Sequence, residues 1–130
     1  MSTKTLQATS LVPTLTVNDL QASIKFYEGL GFSVSDKYED DGRLMGVMIS
    51  AGGSQLGLSQ DDFGKGTDRV KGVGMRLYLE TDQNIEELAA QARASGINMG
   101  EGPGPLPWGQ IGFTVTDPDG FKMTISNPAT

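Results

Sequence analysis

The chain has 130 residues, 10 basic and 16 acidic, a formal net charge of −6, and neither histidine nor cysteine. Those two absences exclude a serine–histidine triad, a thiol nucleophile, an imidazole base, a His–Cys zinc cluster and any disulfide. With no run of Lys or Arg, the acidic surface repels phosphate backbones, so no nucleic-acid partner is expected.

The length fits a single domain over residues 1–130 with a real hydrophobic core. Apolar residues make up 37% of the chain and are interrupted throughout by polar ones. No window approaches the ~20 apolar residues of a membrane span. Residues 1–13 hold no apolar leader segment, so a soluble, cytoplasmic protein without a membrane partner is expected. The 18 glycines are spread along the chain beside apolar runs, which suggests many short strands joined by tight turns.

Residues 1–9 are polar. Residues 11–17 alternate as a strand, with Pro13 near its start, where a missing N–H is tolerated. Asn18 or Asp19 then caps a helix whose apolar face is Leu20, Ile24, Tyr27 and Leu30, and Gly31 closes it. Strands follow at 32–38, 44–50 and 54–59, separated by the charged turn 39–43 and by Ala51-Gly52-Gly53. Residues 61–71 read as a polar, Gly-rich connection.

The order then repeats. Residues 74–81 read as a strand, and Asp82 as the cap of a helix through Ile85, Leu88, Ala89 and Ala92 that ends at Ser95-Gly96. Residues 97–101 read as a short strand, 102–105 as a stiff loop, 109–116 as a strand, Asp117-Pro118-Asp119-Gly120 as a turn and 121–126 as the last strand. The chain is therefore an α+β protein of two βαβββ modules, roughly 10–60 and 73–127. Each module carries a curved mixed sheet forming a cup. Neither sheet face can be buried alone, so the modules pair.

Two stretches carry a resemblance. Val17-Asn18-Asp19-Leu20-Gln21-Ala22-Ser23, with Phe26-Tyr27 and Leu30-Gly31-Phe32, resembles the opening of the glyoxalase I / bleomycin-resistance / extradiol dioxygenase superfamily. Asp117-Pro118-Asp119-Gly120-Phe121-Lys122 resembles that superfamily's last hairpin. The superfamily hosts lyases, epimerases, dioxygenases, thiol transferases and drug binders, so the resemblance speaks to fold more than to activity. Its metal-using members take one His, Glu or Gln ligand from each of four strands. Carried over by motif spacing, those positions fall here on Val12, Gly57, Arg76 and Thr124. No metal and no cofactor are therefore expected.

The resemblance directs Arg76 into the cup, as a permanently charged fork for an oxyanion. Tyr78 and Glu80 share its face by the strand period of two, and Glu80 is the carboxylate candidate for general-base work. Trp108 leaves the stiff 102–107 loop, where an aromatic can line a ligand mouth or plug the core. Thr14, Gly57, Ser59, Tyr78 and Thr124 are the expected inward positions of the cup. The acidic stretches 36–41 and 61–62 read as solvated turns or, as the resemblance to bleomycin-resistance proteins implies, as an acidic groove for a cationic drug, and Phe63 reads as a lid, a dimer contact or a lone exposed aromatic.

Three functions are consistent with these residues. The first is a metal-independent binder that sequesters an antibiotic or aromatic metabolite. The second is a metal-free lyase, isomerase or hydrolase acting on a small oxygenated substrate. The third is a metalloenzyme with oxygen-only ligands, suited to magnesium or manganese. A homodimer is expected, because two curved sheets expose edges and a concave face.

Overall fold

The computed structural model describes residues 4–128. β1 (Thr14–Val17), α1 (Leu20–Leu30), β2 (Ser33–Asp40), β3 (Arg43–Ala51) and β4 (Ser54–Gln60) form the first module. β5 (Arg76–Glu80), α2 (Ile85–Ala94), β6 (Gly104–Pro105), β7 (Ile111–Thr116) and β8 (Lys122–Ser126) repeat the order. Each module builds its own four-stranded sheet, β1-β4-β3-β2 and β5-β8-β7-β6. β1–β4 and β5–β8 pair in parallel and the remaining neighbours antiparallel, so both sheets are mixed. The α+β architecture of two βαβββ modules with open, cup-like sheets is the one the sequence pattern predicts.

Local chemistry sets these boundaries. Of the two candidate caps, Asp19 closes the start of α1 by accepting from Ala22 N–H at 3.3 Å. Gly31, at φ 111°, ends the helix in the left-handed region that favours glycine. Asp41 and Gly42 both have positive φ, 52° and 76°, as a two-residue type I′ hairpin between Asp40 and Arg43 requires.

Two expectations are corrected. The cap of α2 is Asn84, which accepts from Glu87 N–H at 3.0 Å, and not Asp82. Asn127 Nδ2 donates to the carbonyls of both Thr81 and Gln83, at 2.7 and 3.0 Å. That tie holds the chain in a turn for two further residues before the helix starts. Residues 97–101 form no strand; the short strand is Gly104–Pro105. Asn98 Oδ1 accepts from Gly100 N–H at 2.9 Å and Met99 O from Gly102 N–H at 3.2 Å, folding the segment into turns. Ile97 and Met99 are nonetheless buried, which explains the strand-like alternation.

Leu15, Val17, Val47, Ile49, Leu56 and Leu58 line the inner face of the first sheet, against Leu20, Ile24, Tyr27 and Leu30 of α1. Phe113, Val115, Met123 and Ile125 do the same in the second sheet, with Ile85, Ala89 and Ala92 of α2. All belong to one core. Because strands alternate, the opposite face of each sheet is turned away from it and stays open. Among the described residues no helix is long and apolar enough to cross a membrane.

Candidate functional site

Leu77 and Leu79 pack against the core, so Arg76, Tyr78 and Glu80 stand on the open face of the second sheet. The parallel register sets Arg76 beside Lys122, Tyr78 beside Thr124 and Glu80 beside Ser126. Tyr78 is 62% exposed and Trp108 51%, and their rings meet edge to face with centroids 5.8 Å apart. Two large aromatics left this open beside two cations form a surface suited to a flat, anionic guest.

The Trp108 loop is fixed from both sides. Leu106 N–H donates to Gln110 O at 2.7 Å and Gly109 N–H to Leu106 O at 2.8 Å. Gln110 Nε2 then donates to Glu80 Oε2 at 3.1 Å and to Asn127 O at 2.7 Å. Glu80 thus anchors the loop that presents Trp108. Among the described residues the ion pairs are those of Asp61 with Lys71 and Arg69, so Arg76 is left without a carboxylate partner.

Thr14, Gly57 and Ser59 lie on the open face of the other sheet, where Thr14 pairs with Gly57 and Thr16 with Ser59. A concavity of about 460 Å³ there is bordered by Asp36 and Asp40 of the acidic stretch 36–41, and by Tyr38 and Met48, two residues that sequence reasoning did not single out for a site. The alternation of β2 and β3 across from β4 was the signal that could have found them. The structure therefore brings Arg76, Tyr78, Glu80, Thr124 and Trp108 together on one sheet, and Thr14, Gly57 and Ser59 on the other. It does not join the two groups within the chain.

A Cβ on Gly57 would lie 2.6 Å from Thr14 Oγ1, so the threonine already fills that position. Thr124 is buried, with its hydroxyl 2.8 Å from that of Thr114.

Two polar links were missed at the sequence level: one joins the two modules and the other closes the 61–71 connection on itself. Tyr27 Oη donates to Asp117 Oδ2 at 2.8 Å, while Asp117 Oδ1 accepts from Asp119 and Phe121 N–H, both at 2.9 Å. Burial pushes the Asp117 carboxyl above its ordinary pKa, against those three donors, and burial also raises the Tyr27 phenol. Asp61 Oδ2 meets Lys71 Nζ at 2.8 Å with both side chains 5% exposed, so Asp61 is no solvated turn residue. The hydrogen bond from Lys71, and then Phe63 N–H, hold its carboxyl below the usual carboxylate range. Phe63 has φ 59° and lies with its ring centroid 6.0 Å from Lys71 Nζ.

Paired βαβββ modules, each with an open curved sheet that presents side chains outward, define a class of small cup-bearing proteins. The chain belongs to the Glyoxalase/Bleomycin resistance protein/Dioxygenase superfamily, whose family model matches residues 9–125. A superfamily member from Sphaerobacter thermophilus DSM 20745 superposes with a TM-score of 0.73 at 24% identity, covering 94% of this chain and 98% of that one. A bleomycin resistance determinant encoded on the transposon Tn5 superposes with a TM-score of 0.68 at 19% identity, covering 95% and 100%. A bleomycin-binding protein complexed with bleomycin gives 0.66 at 20% identity, covering 94% and 100%. No curated protein sequence matches the chain. At these identities the structural likeness speaks to fold alone.

Proposed function

We propose that the protein is a metal-independent binder of small molecules, acting as a homodimer, whose guest is an anionic or strongly dipolar aromatic such as an antibiotic or an aromatic metabolite. The observation that carries this reading is the exposed Tyr78–Trp108 pair beside the unpaired Arg76 on one open sheet face. The solved likeness to a bleomycin-binding protein supports binding as the role of the fold. The net charge of −6 favours cations at long range, but that field is screened beyond ~8 Å at physiological salt, so the local guanidinium decides.

The family's metal positions do not fit a divalent ion. Val12 is apolar, Gly57 has no side chain, Arg76 is cationic, and the Thr124 hydroxyl is engaged by Thr114. Among the described residues no three Asp or Glu side chains gather in a metal-holding group.

Salicylate is a suitable probe, read by Trp108 fluorescence. Arg76→Met keeps bulk and removes the charge, so the affinity should fall by about 1.5–3 kcal/mol, roughly tenfold or more. A loss within about twofold would show that the arginine does not hold the anion. Glu80 favours a second reading, a lyase or isomerase acting on a small oxygenated substrate, because its carboxylate shares the face with Arg76. Turnover that survives Glu80→Gln unchanged would eliminate Glu80 as that enzyme's base.

A further inference from the structure

A cavity of about 310 Å³ lies at the seam between the two modules. It exists because two sheet edges part there. β1 begins only at Thr14, after Pro13 O has accepted from Gly57 N–H at 2.8 Å, so the first residues of β4 have no β1 partner. β5 is the edge strand of its own sheet and faces the same gap. Residues 9–13, which lead into β1, form one wall. The floor is the core itself: Phe32, Leu56 and Met123 are buried, and Leu77 and Leu79 approach from the core side of β5. Only Tyr78 is shared with the residues of the open aromatic face.

No charged side chain lines this cavity, in a chain where 20% of residues are charged. Its polar groups are neutral: Thr9, Ser10, Ser54, Gln55 and Tyr78. These neutral groups can hydrogen-bond a guest and the buried apolar floor gives its ring a surface to cover, while no side chain offers an ion a counter-charge. The volume is about twice the ~150 Å³ apolar cavity that takes benzene, and it lies within the range of small-ligand pockets.

We propose that the seam cavity is a second binding site, for an uncharged aromatic molecule the size of a fused bicycle such as indole. It differs in charge class from the guest of the Arg76 face, and it does not depend on that reading. Binding there buries apolar surface between the modules and so favours the paired arrangement over its separation.

The test uses the full chain with labelled Leu and Met methyls, titrated with indole and, separately, with indole-3-carboxylate. Indole should shift the methyls of Leu56, Leu77, Leu79 and Met123 saturably, and the carboxylate should bind about tenfold or more weakly. Ser54→Trp, at an exposed wall position, should fill the cavity and weaken indole about tenfold, whereas Arg76→Met should leave it within about twofold. If Ser54→Trp does not fold, the comparison of neutral with charged guest on the unmodified chain decides alone. The proposal fails if indole does not saturate, if the carboxylate binds within about twofold of indole, or if the shifts centre on the methyls of Leu106, in the Trp108 loop. Methyl shifts that track protein concentration instead of indole would assign the seam to a second copy and also overturn it.

Discussion

Tyr27 is fully buried and its hydroxyl ends on one carboxylate, Asp117, on the far side of the module boundary. The sign of its effect on stability follows from Asp117. A carboxyl whose pKa is raised by folding favours the folded chain at acid pH, and that contribution is lost as pH rises through the folded value. Tyr27→Phe removes a donor that favours the charged carboxylate, so it raises Asp117 further. The variant should therefore lose about 1.5–3 kcal/mol near pH 7 and less near pH 4, by urea denaturation at the two pH values. Equal losses at both would mean that the hydroxyl does not act through Asp117. Asp61 has the opposite sign. Its lowered pKa contributes stability above the usual carboxylate range, lost as pH falls through the folded value. Asp61→Asn should melt lower at pH 7 and show a flatter acid limb, whereas acid limbs that superpose would refute the Lys71 pair as the cause. Neither link was legible in the sequence. Asp61 and Asp62 read alike as polar turn residues, and only the fold, by bringing Lys71 against the first, makes them different.

Most elements could be read from the chain because cap, period and turn chemistry agreed at each one. The α1 helix has its apolar face, its Asp19 cap and its Gly31 stop within a short stretch. The errors have different causes: distant Asn127 displaced the start of α2, whereas local turns within 97–102 made a buried alternating segment something other than a strand. Two glycines test strand pairing itself. At Gly112 a Cβ would run into the backbone carbonyl of Ile125 and into Ser126 on paired β8, atoms that cannot move without parting the strands. At Gly57 the obstacle is only the Thr14 side chain. Gly112→Ala should cost about 1–3 kcal/mol in chemical denaturation, and Gly57→Ala should cost less and recover with Thr14→Ala. Similar costs at both sites, or no recovery, would contradict this account of β1–β4 and β7–β8 packing.

At the scale of the whole molecule, the period of two put Arg76, Tyr78 and Glu80 on one face, but it could not reveal that Thr14, Gly57 and Ser59 belong to another. That division depends on how the two modules share a core, which no single stretch of sequence encodes. The consequence is two open faces, one carrying Arg76, Lys122, Tyr78 and Trp108, the other bordered by Asp36, Tyr38, Asp40 and Met48. Tyr38 is 60% exposed, so each face holds a large aromatic in solvent. Exposed aromatic patches and free sheet edges on one small chain are features that a second copy would cover, and opposite local charge on the two faces favours such contact. A closed pair would be two-fold, with each copy offering both faces. Static light scattering should then give about twice the 13.8 kDa chain mass at micromolar concentration. Raising the salt should weaken the pair, since opposed surface charges are screened. A mass of 13.8 kDa maintained across that concentration range would rule out the homodimer and leave each open face to act alone.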